Sequence, residues 1–387
     1  MQPANVRQSN QRAILTVIAM EPGISNAGIA RRTGLAPQTV SAVLTDLERA
    51  GLLRRGDAQR GGRRGQPATP IYIDPEGAFA LGAEIGWQRI EVALTNLNAQ
   101  VVRRERRTYE RPDSALVFDL LAELIDDITG PMTSAERSRL IGLGLAAPTG
   151  IGDPTAVVAM PPVQGEFWHP AGLARAAARA TGISDVQVMN DGNAACWAEF
   201  VAHPSPRPGN FLYVLVDSFL GAGLVAEDRL WEGANGAAAN LGSMRVTGRD
   251  GQMHYAHEVA SLSALHRRLE AQGLGLADAL HSSPAQAARI VLDSWIDDAA
   301  FALAEAVLNA ATVMDFDFAV IEGEVPEAVL MPLVESVRTS LANLPALTPL
   351  RPQVQAGHLH RSGAAQGAAF LRTYRRYFSR ELADLEA

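Results

Sequence analysis

The sequence predicts an α/β protein in which a small winged-helix head precedes two βββα-type lobes with a cleft between them. Three observations predict it. Residues 10 to 55 carry three short helical patterns separated by turn signals, and an arginine- and glycine-rich turn then lies between two strand-like stretches. From Leu81 the texture becomes strand, glycine turn, strand, Asn-Leu-Asn turn and strand, a first meander. A second glycine-rich strand pair, Asn210 to Gly233, begins another. The boundaries this suggests are a head over residues 1–75, a first lobe over 76–200 completed by a C-terminal helix at about 364–387, and a second lobe over 201–363.

The composition suits two or three sizeable cores: 387 residues, 47% hydrophobic and 20% charged. A single cysteine, Cys196, excludes an intramolecular disulfide and a multi-thiolate zinc site, and fits a reducing cytosol. The N-terminal stretch lacks the continuous apolar run of a signal peptide, and no run is long enough to span a bilayer, so a cytoplasmic location without membrane partners is expected. The net charge of -8 is unevenly placed, because residues 1–75 hold ten arginines against five acids. A basic head on an acidic body suits a protein whose head meets polyanionic DNA; a merely solvated basic face is the alternative. The chain has no lysine at all, which reads as genome composition.

Within the head, the first helix is expected from Asn10 to about Met20, stopped by Glu21-Pro22-Gly23. Ser25 can cap a second helix that runs into Gly34, a residue able to take the left-handed conformation of a sharp turn. Pro37 opens a third, with Val40, Val43, Leu44 and Leu47 as its apolar stripe. Its opposite face offers Gln38, Thr39, Ser41 and Thr45, small or hydrogen-bonding groups able to enter a major groove. In the wing-like turn, Arg60, Arg63 and Arg64 can neutralise phosphates or enter a minor groove. A three-helix interaction module with a flexible linker is the alternative.

In the body, the meander that starts at Leu81 is of the kind that begins one lobe of an actin-like ATPase fold, and a helix follows at about Ser114–Thr129. The segment Val186 to Phe200 reads as a strand ending on Asn190-Asp191 and passing into a helix, which puts both polar side chains at a strand's carboxyl end, where α/β folds hold ligands. Simple helix capping is the other reading of that pair.

Taken in order, the winged helix, LGAEIGWQRIEVALTNLNAQVV, GLAAPTGIGD, MNDGNAACWAE, and FLYVLVDSFLGAGLV followed by WEGANGAAANLGS resemble the ROK family of repressors and sugar kinases. The resemblance implies a two-lobed, sugar-kinase-like body with a sugar-derived effector in the cleft. Asn190, Asp191 and Glu258 match the family's sugar-contacting positions. The family's Gly-Glu-x-Gly-His motif stands here as Ala239-Asn240-Leu241-Gly242-Ser243, so Asn240 and Ser243 are candidate contacts with altered chemistry. The family's zinc loop has no cysteine here, and His254 and His257 alone do not make a tetrahedral site, so no metal is expected.

The same resemblance locates three defects in the nucleotide site. Trp87 stands in the first phosphate turn, Glu84-Ile85-Gly86-Trp87-Gln88-Arg89, Asp217 and Phe219 in the second, and the adenosine-side Gly-Gly pair survives only as Glu322-Gly323-Glu324. Bulk and negative charge replace the small residues that let backbone amides approach phosphates. The expectation is therefore a sensor with no cofactor and no catalytic residue: a DNA-binding repressor of carbohydrate genes, acting as a homo-oligomer (dimer or tetramer) on a duplex operator. An ATP-dependent sugar kinase with a DNA head, and a DNA-binding protein on a vestigial scaffold, are the rivals.

Overall fold

The structure, a computed structural model, describes residues 3–57, 69–148, 168–204, 207–347, 351–359 and 363–378. The head begins with helix α1 (Pro3–Met20). That helix starts earlier than the Asn10 expected from the apolar spacing, because the polar run Arg7 to Asn10 continues the helix without contributing an apolar face. Helix α2 (Asn26–Thr33) follows a Ser25 cap whose hydroxyl accepts from the Gly28 N–H, and it ends at Gly34 with φ of 67°, in the left-handed region. Helix α3 (Pro37–Arg49) takes Pro37 in its first turn, where a missing N–H costs nothing, and buries Val40, Val43, Leu44 and Leu47. Strands β1 (Leu53–Arg55) and β2 (Ile71–Ile73) pair antiparallel and complete the head. Arg60, Arg63 and Arg64 lie outside the described residues.

The body repeats one plan twice. In the first lobe β3 (Phe79–Ile85), β4 (Arg89–Asn96) and β5 (Val101–Thr108) form an antiparallel meander. Helices α4 (Ser114–Thr129) and α5 (Ser134–Arg137) then lead to β6 (Leu140–Ala147), which runs parallel to β3. Helix α6 (Pro170–Thr181) and β7 (Val186–Asn190) complete a sheet of order β5-β4-β3-β6-β7. Helix α7 (Asp191–Ala202) leaves it directly.

The second lobe repeats the meander with β8 (Phe211–Val216), β9 (Leu220–Ala226) and β10 (Arg229–Leu230). A small hairpin follows, β11 (Arg245–Thr247) with β12 (Met253–Tyr255), and then helices α8 (Ala256–Ala260), α9 (Leu262–Glu270), α10 (Leu276–Leu280) and the long α11 (Gln286–Met314). Strand β13 (Phe318–Gly323), helix α12 (Glu327–Asn343) and β14 (Gln353–Ala356) give the order β10-β9-β8-β13-β14, with β8, β13 and β14 parallel.

Helix α13 (Ala364–Tyr377) then crosses back and packs on the first sheet and on α7. Its approach depends on glycines. A Cβ on Gly82 would stand 1.9 Å from the Ala365 carbonyl oxygen, one on Gly144 2.3 Å from that of Ala368, and one on Gly367 1.8 Å from that of Ala194. The head is not tethered loosely. Its core of Ile14, Ile18, Leu44 and Leu47 is continuous with Ala80 and Ile141 of the first sheet and with Ala369 of α13. Burying that seam on both sides fixes the head against the first lobe.

Candidate functional site

Two places gather polar chemistry, and both follow from how the chain folds locally. On the head, burial of the apolar stripe of α3 turns the opposite face outward. Gln38, Ser41 and Thr45 are exposed and Thr39 is half-buried. Ser41 accepts a hydrogen bond from the Asn26 side chain at 3.0 Å, and Thr45 donates to the Ser41 carbonyl at 2.9 Å, so α2 steadies part of this face.

The second place is the seam between the lobes. Asp217 and Glu324 follow the carboxyl ends of β8 and β13, the position at which parallel strands open towards a ligand. Arg89 opens β4 across the seam in the first lobe. Its guanidinium is buried 2.6 Å from Glu84 and 2.7 Å from Asp217, with Glu324 at 3.8 Å, and Glu324 also meets Arg106 at 2.8 Å. Arg89 therefore joins a strand pair of one lobe to two strand ends of the other. Burial pushes the Glu84 carboxyl up to about 8, only partly offset by Arg89 and reinforced by Asp217, Glu91 and Glu324. With three carboxylates around one guanidinium, a proton held on Glu84 relieves the excess negative charge.

Beside this cluster the rings of Trp87 and Phe219 stack at 4.0 Å between centroids, and Phe219 stacks on His257 at 4.4 Å. Trp87 is buried with the first lobe's core, so the turn between β3 and β4 is folded inward and occupied. The Tyr109 hydroxyl, 2.7 Å from the Gly86 carbonyl and 2.6 Å from that of Arg89, pins the same turn. His257 accepts from the Leu220 N–H through Nδ1 at 3.4 Å; burial and the nearby Arg267 depress its ring to about 4, so it is neutral.

The turn from β7 into α7 lies against the same seam. Asn190 caps α7, its Oδ1 accepting from the Asn193 N–H at 3.0 Å, and its amide donates to Asp191 Oδ1 at 3.0 Å. Gly192 N–H donates to that same Oδ1 at 2.8 Å. Both of these hydrogen bonds fall on the same oxygen, and the backbone N–H of Asp191 also bonds its own carboxylate. Burial first, then the charge of Asp217, raises the Asp191 carboxyl to about 6 against the Gly192 N–H and Arg89. Gly192 is required here, since a Cβ would stand 2.3 Å from the carbonyl oxygen of Ala222 on β9 of the other lobe. Asn193 donates to the Gly236 carbonyl at 3.2 Å, drawing the loop before Asn240 over the start of α7.

Asn240 precedes and Ser243 ends a short 3-10 turn at Leu241–Ser243, and both are exposed. A Cβ on Gly242 would lie 2.7 Å from the Leu220 carbonyl oxygen and 3.5 Å from the His257 Cβ, so this turn borders the aromatic stack. Glu258 accepts from the Tyr255 N–H at 3.0 Å and closes the first turn of α8. His254 bonds Asp250 at 3.0 Å on the hairpin, apart from His257.

Sequence reasoning had placed Trp87, Asp217 and Phe219 in the phosphate turns one by one. It did not find Arg89, Glu84 and Arg106 as their partners, because those contacts join positions far apart in the chain. A tryptophan and an arginine within the one short turn Gly86-Trp87-Gln88-Arg89 were the available signal.

A two-lobed body with repeated meanders, a polar strand-to-helix turn at the seam and a winged-helix head define a sugar-kinase-like protein fused to a nucleic-acid-reading module. The model of the ROK family matches residues 80–374, and the chain belongs to that family. Residues 7–64 match the model of the MarR family. Among curated relatives, the DNA-binding transcriptional dual regulator NagC of Escherichia coli is 26% identical over 381 residues, covering 92% of this chain and 91% of the relative. A solved ROK family transcriptional regulator, described as a homologue of the Escherichia coli MLC protein, superposes with a TM-score of 0.69 over 99% of this chain and 100% of the other, at 18% identity. A ROK family glucokinase from Streptomyces griseus, solved with glucose and AMPPNP, gives a TM-score of 0.59 over 76% of this chain and 99% of its own, at 21% identity. Regulators and kinases thus share the body, while the regulator also shares the head. Among the described residues no helix is long and apolar enough to cross a membrane.

Proposed function

We propose that this protein is a cytoplasmic transcription repressor of carbohydrate genes that reads duplex DNA with α3 and the wing and senses a sugar or sugar derivative at the Asn190-Asp191 turn, without phosphorylating it. The observation that carries the reading is the Arg89 cluster. In a kinase of this family, the turns that it closes would cradle phosphates with small residues and backbone amides. Here they are filled by an ion cluster and an aromatic stack, with Asp217 adding charge that repels a polyphosphate. The sugar side keeps an acidic acceptor at the strand end, the Asp191 carboxylate. Two heads are needed to read two half-sites about one helical turn apart, so the working unit is a homo-oligomer. Sugar acts by binding the two lobe arrangements with different affinities.

Calorimetry of the purified protein with a sugar panel and, separately, with ATP and magnesium, together with a coupled assay for ADP, tests the reading. The expected result is saturable binding of one sugar class, no ATP heat and no ADP. Saturable ATP binding with sugar-dependent ADP release makes the protein a kinase. Failure of every sugar and sugar phosphate to bind leaves the body a scaffold for the head.

A further inference from the structure

Between the head and the first lobe, away from the cleft, lies a cavity of about 570 Å³ walled by α1, the end of α3, β7 and the last turns of α13. Four arginines reach it: Arg12 from α1, and Arg372, Arg375 and Arg376 from α13. Two of them are already matched, Arg372 with Asp185 and Arg375 with Glu232 at 2.5 Å. Arg12 donates through Nε to the Arg376 carbonyl at 3.3 Å, and Arg376 lies over the Tyr377 ring at 5.7 Å. Neither Arg12 nor Arg376 has a carboxylate partner among the described residues. Asp46 also lines the cavity, but its carboxylate is taken by Arg7 and Arg49.

Two further atoms at this cavity are buried without a hydrogen-bond partner, the Arg372 Nε–H donor and the Gln187 Oε1 acceptor. An orphaned buried donor and acceptor are costly unless a third molecule satisfies them. We propose that this interdomain cavity binds a small phosphate monoester carrying hydroxyl groups, its phosphate held by Arg12, Arg376 and the Nε–H of Arg372 and a hydroxyl donating to Gln187. Guanidinium groups suit the phosphate because their N–H fork matches its oxygens. Repulsion fits the same picture: burial and the charges of Arg376 and Arg375 hold Arg372 below a guanidinium's ordinary value, and an anion would relieve it. Since α1 and α13 both wall the cavity, an occupant bridges the head to the helix that packs on α7. This is a second effector site, independent of the cleft.

The test is thermal unfolding of the full chain titrated with glycerol 3-phosphate, with glycerol, inorganic phosphate and potassium chloride at matched ionic strength as separate arms. The wild type is expected to show a saturable rise of about 2 °C at ten times the half-saturating concentration. Glycerol and potassium chloride should give none, and inorganic phosphate a weaker rise. Arg376→Glu reverses an exposed charge and should raise the half-saturating concentration at least tenfold, without lowering the ligand-free midpoint, since it relieves repulsion on Arg372. Arg54→Glu, on the exposed face of β1, should change nothing, and calorimetry of Gln187→Leu, expected to weaken binding severalfold, gives an independent reading. An absent response in the wild type, the same response with potassium chloride, an unaltered response in Arg376→Glu, or an equal loss in Arg54→Glu each overturns the proposal.

Discussion

The two sides of the interlobe seam spend their polar groups differently. Where β4 meets the ends of β8 and β13, Arg89 is matched by Glu84, Asp217 and Glu324, and Glu324 again by Arg106. Where β7 passes into α7, Asp191 Oδ1 accepts from Asn190 and Gly192, and Asn193 Oδ1 is buried without a partner. On the first side acids and arginines pair with one another, although the Arg89 Nε–H and the Trp87 indole N–H are buried without partners there too; the second side carries the turn proposed for the sugar. On the proposed reading, filling one side joins the lobes at that edge and leaves the opposite edge to respond.

The largest test of this contrast is Arg89→Leu. It strands buried carboxylates and cuts the link between lobes, so unfolding in urea should show a loss of about 3–5 kcal/mol. A loss under 1 kcal/mol would mean that the cluster does not hold the lobes together. The next is Glu84→Gln, which keeps the shape of the protonated acid. Because the folded-state value of about 8 lies above the ordinary 4.5, the Glu84 contribution is full below 4.5 and fades as pH rises through 8. Between pH 6 and 8 the wild type should lose about 2 kcal/mol relative to Glu84→Gln, read from parallel denaturation curves. Identical pH profiles would show Glu84 to be ionised throughout. The smallest effect belongs to the other side: Asp191→Asn should weaken sugar binding by about tenfold, roughly 1.4 kcal/mol, with little change in stability, by calorimetry and melting. If it instead destabilises the protein as severely as Arg89→Leu, the two sides are not distinct.

Local chemistry made much of the fold legible. Ser25, Gly34 and Pro37 each act within one turn of where they stand, and the second and third helices lie where those residues put them. The meanders were legible because their turns are short and their strands are buried in runs. The start of α1 was not, since Arg7 to Asn10 help to continue a helix without any apolar periodicity. In the seam, Asn190 and Asp191 could be found because strand end and helix start adjoin in the chain. Arg89 could not: its salt bridge to Asp217 and its approach to Glu324 exist only once two separate sheets are set side by side. Glu258, picked out by motif position, also accepts from the Tyr255 N–H at the first turn of its own helix, a contact set by three residues of local chain.

The backbone contacts of α13 also govern the order in which the molecule can be made. Gly82 and Gly144 wait for Ala365 and Ala368, and the head's core waits for Ala369. At about 5–20 residues per second, a ribosome needs roughly 15–60 s to travel from β3 to α13. Throughout that interval the DNA-reading head has been synthesised but has no finished surface to dock against. Nascent chains that stall before α13 emerges would present a winged helix lacking its seat on the first lobe, and so uncoupled from anything bound in the body.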